Sequence, residues 1–206
     1  DRVFSLTADE LQLLRPLTGL CPTFRCKGDR EIVLPLYRRV KPLVKQQEEK
    51  LDWSQSDFLI MFRSDDSTHL YKTTGELGVI EPDASSLPRL MSDQTAYVPV
   101  WESKFLHQFD HRFATFAGVG ESERKKGNCH ELASTEKGGA WIALPRYWSP
   151  LSAVNEILAS REWRRSWTLG YRDITNATNE RTAIASCLPE GGAAQPLNLF
   201  LPESGL

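Results

Sequence analysis

Cysteine is scarce: four residues in 206, at positions 21, 26, 129 and 187, too few and too scattered for a disulfide framework in a chain long enough to build a core without staples. Reduced thiols are the expectation. Charge of one sign is equally lacking, with 25 Lys+Arg against 27 Asp+Glu and a formal net charge of −2. That balance excludes a histone-like basic protein and a long acidic tail, although a local basic face remains compatible with it. No apolar run approaches the roughly 18 residues that a membrane-crossing helix needs, and no charged-then-apolar leader opens the chain. A cytoplasmic protein without membrane contact is the expectation. The chain starts at Asp1 and ends without a clear stop signal, which sets the further expectation of a segment from a longer protein.

What is present is an ordinary globular composition, 40% hydrophobic, with mixed periodicities. Over residues 29–47, Ile32, Val33, Leu36, Tyr37, Val40, Leu43 and Val44 recur at three- and four-residue steps, which predicts an amphipathic helix interrupted by Pro35 and Pro42. Residues 57–63 read as a buried strand, 64–67 as a polar turn and 81–93 as a surface loop. Strands are expected at 97–101 and 112–116, with 102–109 open to either helix or strand. The polar, glycine-rich stretch 118–139 reads as a long mobile loop carrying Arg124, Lys125 and Lys126. Ser149 as N-cap and Pro150 at the first position predict a helix through Arg161, burying Leu151, Val154, Ile157 and Leu158. Residues 166–174 and 182–188 form a hairpin-like pair. The expected class is α+β, with mixed or antiparallel sheet elements, several helices and long loops. The expected division is a connecting segment over 1–96 and a second domain over 97–206.

Chemistry-bearing patterns are sparse. His107 and His111 share one face if their segment is helical, but Gln108 stands where a zinc peptidase needs glutamate, and no third ligand is evident. Hydrogen-bonded structural histidines fit better, and no metal is expected. Asp83, Glu102 and Lys104 follow the order in which many metal-dependent nucleases present two carboxylates and a lysine, so a magnesium nuclease stands as an alternative. A non-catalytic protein-docking scaffold is another. Gly118-Val119-Gly120 is too short for a phosphate loop, no serine sits in a nucleophile elbow, and Asn-Pro-Pro-aromatic, which holds the target amino group in amino-methyltransferases, is absent. No catalytic residue is therefore assigned. Arginine remains: Arg161, Arg164, Arg165, Arg172 and Arg181 interleave with Trp163, Trp167 and Tyr171. Arginine forks suit phosphate or guanine, and Asn176 and Asn179 are of the type that reads adenine, whereas Arg172-Asp173 and Glu180-Arg181 can equally pair across the hairpin.

Five stretches in order carry a wider resemblance: LCPTFRCKGDREIVLPLYRRV (20–40), SDFLIMFRSDDSTHLYKT (56–73), VPVWESKFLHQFDHRFATF (98–116), LPRYWSP (144–150) and WTLGYRDITNATNERTAIASCLP (167–189). Together they resemble the carboxy-terminal half of large restriction-modification methyltransferases, the Type IIG-like proteins and those of phage-defence islands such as BREX and DISARM. The resemblance implies a target-recognition part that supplies sequence specificity for N6-adenine methylation and binds double-stranded DNA. Its S-adenosylmethionine and its catalysis would then belong to a methyltransferase domain of the parent chain, against which residues 1–96 pack. It makes Glu102, Lys104, His107, Asp110, His111 and Arg112 a family motif of unassigned role. Arg146, Arg172 and Arg181 become candidate DNA contacts beside Arg164, Arg165, Asn176 and Asn179. One departure stands out: where the family usually has Tyr-Glu-Gly-Lys-Met, this chain has Trp101-Glu102-Ser103-Lys104-Phe105.

Overall fold

The structure, a computed structural model, describes residues 3–15, 19–40, 57–63, 65–78, 89–138, 143–176 and 178–202. Its contacts divide the chain into two units, 1–56 with 202–206, and 57–201. The expected division at 96/97 does not coincide with this one, because strand pairing joins residues 57–59 to 197–201 and 90–92 to 95–97.

In the first unit, α1 (Ala8–Leu14) opens on a capping box in which the Thr7 hydroxyl accepts from Glu10 N–H while Glu10 accepts from Thr7 N–H. The Glu10 carboxylate also takes Arg30 (2.7 Å) and Arg38 (3.4 Å) from α2 (Lys27–Arg39), so one carboxylate ties the two helices together. Pro35 lies inside α2, and Val40 caps it. The continuation expected to residue 47 lies outside the described residues. The expected apolar stripe is not buried: Ile32 is 65% and Val40 63% exposed, while Leu34 is the buried position. Periodicity therefore predicted the helix but not which face finds cover.

The second unit holds two larger sheets. The first has the order β1 (Asp57–Leu59), β10 (Leu197–Leu201), β7 (Trp167–Arg172), β8 (Ala185–Pro189), all antiparallel. The second has β2 (Leu90–Ser92), β3 (Thr95–Trp101) and β6 (Tyr147–Pro150), with β9 (Gly192–Ala193) running parallel to the end of β3. A small ladder joins β4 (Ala114–Thr115) to β5 (His130–Glu131), with α3 (Glu121–Lys126) between them in sequence. α4 (Leu151–Ser160) follows β6 directly. The fold is α+β, as the sequence led one to expect.

β10 (Leu-Asn-Leu-Phe-Leu) is buried along its whole length between β1 and β7, which is why it lacks polar alternation. Pro99 sits inside β3 without breaking it. Trp148, its partner across β6, exchanges both backbone bonds outward with Lys72 at 2.8 Å, so Pro99 is in a non-hydrogen-bonded pair. Its missing N–H thus faces the interval between the β2 ladder, whose last pair is Leu90–Tyr97, and the β9 ladder, whose first is Val100–Gly192. Gly192 is required there by packing, since a Cβ would lie 2.3 Å from the buried Phe62 ring.

Several local expectations are corrected. Part of the expected loop 81–93 is β2, turned into β3 by Asp93 and Gln94 at φ 47° and 63°, a primed turn built without the usual Asn-Gly or Asp-Gly; residues 81–88 lie outside the described residues. Residues 102–109 are neither helix nor strand but a 3-10 turn (Ser103–Phe105) followed by a tight loop. The stretch 118–139 contains α3, β5 and a 3-10 turn, not an unstructured loop. Ser149 is a buried residue of β6, and the N-cap is Pro150; the stripe Leu151, Val154, Ile157 and Leu158 does pack inward as expected. The paired strands expected at 166–174 and 182–188 are β7 and β8. The strand expected at 57–63 is shorter: β1 ends at Leu59, and only a parallel bridge from Phe62 to Ala194 continues it. All four cysteines are free thiols. No helix among the described residues is long and apolar enough to cross a membrane.

Candidate functional site

The motif at the end of β3 folds into two features. In the first, Glu102 and Lys104 face each other across the 3-10 turn, with Nζ 3.1 Å from Oε2, and Lys104 also donates to the Gly127 carbonyl at 2.8 Å. Glu102 is 17% exposed, and its other oxygen, Oε1, is buried without a hydrogen bond. Burial, then the charges of Glu102 and Tyr147, push the neighbouring Tyr71 hydroxyl up to about 12. Ser103 is not among the residues with left-handed backbone, so this turn does not demand glycine. Asp83, the other acid of the nuclease reading, lies outside the described residues. Among the described residues no three His, Cys, Asp or Glu side chains gather as metal ligands.

In the second, residues 106–113 form a rigid loop. His107 and Asp110 exchange backbone bonds at 2.8 and 3.0 Å, Asp110 Oδ1 accepts from Arg112 N–H at 2.8 Å, and Asp110 Oδ2 pairs with Lys137. His107 stacks on Phe113 at 4.9 Å, whereas His111 meets the edge of Trp101 at 6.3 Å. The two histidines therefore do not share a helical face, and the zinc spacing is lost with the helix. Arg112 donates to the Gly138 carbonyl at 3.3 Å. Burial, and then Arg112, hold the His111 imidazole below its ordinary value against the opposing charge of Asp110. A depressed folded value means that the neutral ring contributes stability at pH values above its unfolded titration near 6.5, and that this is lost as pH falls towards the folded value. Acidification from about pH 7.5 to 5.5, above the range of the carboxylates, should thus lower the thermal midpoint. His111→Asn should flatten that dependence; an unchanged slope would show that the ring contributes nothing.

The candidate DNA contacts are placed very differently from one another. Arg172 turns inward: its guanidinium donates to the Leu106 carbonyl, lies 6.0 Å over the Phe113 ring, and has Nε buried without a partner, with burial lowering its pKa. It anchors the 106–113 loop to β7. Arg165 lies against the T-shaped Trp163–Trp167 pair, its guanidinium 5.4 and 5.3 Å from the two ring centroids, and Arg164 is exposed. Arg181, Asn176 and Asn179 belong to the 173–184 link at the other end of β7, where Arg181 is exposed and Asn176 Oδ1 accepts from Thr178 N–H. Because β7 separates Arg165 from Arg172 by about 20 Å of extended chain, these arginines are not one cluster.

Arg146 joins a different group. It stacks on Tyr147 at 4.6 Å and donates to the Lys125 carbonyl, and a Cβ added to Gly127 would meet its Nη1 at 3.1 Å and Lys104 Nζ at 3.2 Å. Arg124, Lys125 and Arg146 line one cleft of about 400 Å³ together with Thr73 and Tyr147, and Glu121, which pairs with Lys125 at 2.7 Å, is the acid on its wall. Arg124 bonds the Phe116 carbonyl at 2.7 Å through Nη2, while Nη1 is buried without a partner and burial lowers its pKa. A concave surface with three cations against one surface-paired carboxylate is suited to an anion.

Arg124 and Lys125 were not singled out by the sequence as ligands, although ESERKK followed by Gly127 carries a helix signature. It has acids in the first turn, bases in the last and a left-handed glycine cap at φ 81°. That signature fixes α3, and α3 aims these cations at Arg146.

Comparison with known proteins identifies no relative: no family model, curated protein or solved structure matches the chain.

Proposed function

We propose that this chain is the DNA-recognition part of a restriction-modification N6-adenine methyltransferase, holding duplex DNA for a catalytic domain of the same parent chain. The observation that carries the reading is the convergence of Arg124, Lys125 and Arg146 on one cleft. Phosphate oxygens suit a cationic cleft of this kind, and phosphate contacts position a protein on the duplex without reading sequence. The resemblance of the ordered sequence blocks to such methyltransferases suggests the rest of the reading. S-adenosylmethionine would be bound by the catalytic domain, since no segment of this chain carries a glycine-rich loop for it. The exposed apolar positions Ile32, Leu36 and Val40 of α2 are consistent with packing against that domain. Exposed Arg164 and Arg181 remain available to DNA in this reading, whereas Arg172 serves the loop.

The test is a fluorescence-anisotropy titration of the chain against mixed-sequence duplex at low and near-physiological salt. Wild-type binding should weaken steeply with salt, and Lys125→Ala/Arg146→Ala should lower affinity about tenfold or more and flatten the logarithmic salt slope by about two. Absence of binding at low salt, or a double variant that binds like wild type, would overturn the proposal. Magnesium-dependent cleavage lost in Glu102→Ala would favour the nuclease alternative instead.

A further inference from the structure

Gly127 closes α3 with φ 81°, and its N–H and that of Asn128 return to the Arg124 and Glu123 carbonyls at 3.0 and 2.9 Å. A left-handed glycine is the common way to end a helix, and by itself it implies nothing more. What sets Gly127 apart is what lies over its Cα. A Cβ there would stand 3.1 Å from Arg146 Nη1 and 3.2 Å from Lys104 Nζ, closer than side-chain carbons ordinarily come. At Gly118, also left-handed at φ 69°, a Cβ would have no neighbour within 4 Å.

Both cations are held where they are. Lys104 Nζ donates to the Gly127 carbonyl at 2.8 Å and pairs with Glu102 at 3.1 Å. Arg146 donates through Nη2 to the Lys125 carbonyl, and its guanidinium lies 4.6 Å over the Tyr147 ring. Tyr147 is stacked on Tyr71 at 5.3 Å, and Tyr71 meets the buried Phe62 ring edge-on at 5.8 Å. The guanidinium is thus the outer end of an aromatic series that starts in the core. Two like charges can converge on one point because the last carbonyls of α3 accept from them and Glu102 opposes Lys104.

Arg146 and Lys125 are also cations of the cleft read above as the phosphate site. We infer that Gly127 is a positioning residue of that cleft: the absence of a side chain lets Lys104 and Arg146 close on the α3 cap together, and this sets the Arg146 guanidinium beside Lys125 for a shared anion. This rests on the DNA-recognition reading and adds to it the residue that holds the cations in register. A Cβ at Gly127 removes no charge and changes only where the guanidinium sits, to which a directional, charge-assisted hydrogen bond is sensitive.

The test is anisotropy titration of mixed-sequence duplex at low salt, with the thermal midpoint recorded for each variant. Gly127→Ala should weaken binding about fivefold or more, whereas Gly118→Ala, which carries the same backbone cost into open space, should bind within about twofold of wild type. Gly127→Asn separates cap from clash: asparagine tolerates left-handed backbone, so its midpoint should lie above that of Gly127→Ala, yet its Cβ should weaken binding as much. It carries the comparison if Gly127→Ala fails to fold. In an Arg146→Ala background, itself weaker than wild type, Gly127→Ala should change affinity less than about twofold, because no guanidinium remains to be displaced. Gly127→Ala binding like wild type, Gly118→Ala losing as much as Gly127→Ala, or an undiminished effect in the Arg146→Ala background would overturn the positioning role while leaving DNA recognition standing. No binding by the wild-type chain at low salt would overturn both.

Discussion

Trp101→Ala is expected to destabilise the 57–201 unit by about 3–5 kcal/mol, the range for emptying a buried aromatic site. Trp101 is 1% exposed, lies edge-on to Phe105 at 5.8 Å, and donates its indole N–H to the Pro189 carbonyl. Its backbone pairs with Ala193, and its carbonyl accepts from Ala194 N–H at 2.9 Å, so one residue joins β3, β8 and β9. A Cβ on Gly191 would lie 2.5 Å from Nε1, so this close approach leaves no slack for collapse around a cavity. Truncation also strands the Pro189 carbonyl, adding about 1–3 kcal/mol if water does not reach it. Against a total stability of about 5–15 kcal/mol, the variant should be marginally folded. Trp101→Phe keeps most of the volume and should lose about half as much or less. Urea unfolding followed by far-ultraviolet circular dichroism gives both values; a loss under about 1 kcal/mol for alanine would show that the packing around Trp101 is not tight.

The Glu102–Lys104 pair carries the second large effect. Lys104→Met should cost about 2–4 kcal/mol, because it leaves a mostly buried carboxylate whose Oε1 already lacks a hydrogen bond, beside a desolvated Tyr71 hydroxyl. Glu102→Gln should cost less, and the double variant should recover most of the loss, since removing both charges also removes their desolvation. A double-mutant cycle by thermal or urea unfolding measures the coupling. If Lys104→Met proves neutral while DNA cleavage or binding collapses, the pair is chemical rather than structural, and the nuclease alternative regains force.

The helix signals were readable because they are local. Apolar spacing announces α2 and α4 wherever they pack, and the β7–β8 pair follows from two β-rich runs about a polar link. Ser149 failed as a cap for a tertiary reason: β6 pairing with Val98 holds it in extended backbone, so the helix starts one cap later. β2 was hidden because its turn uses Asp93 and Gln94 in left-handed backbone, a choice no turn rule favours. Arg172 looked like a DNA contact by residue type, yet its backbone position on β7 delivers it to the Leu106 carbonyl.

What the sequence determined by itself is the α+β class, the free thiols, the helix periodicities and the charge balance, all of which depend on composition or on neighbours a few residues apart. The tertiary structure alone decided which cations meet. Arg146, Arg124 and Lys125 are more than twenty residues apart in part and converge through β6 and α3. Long-range pairing sets those positions, and no local pattern encodes it.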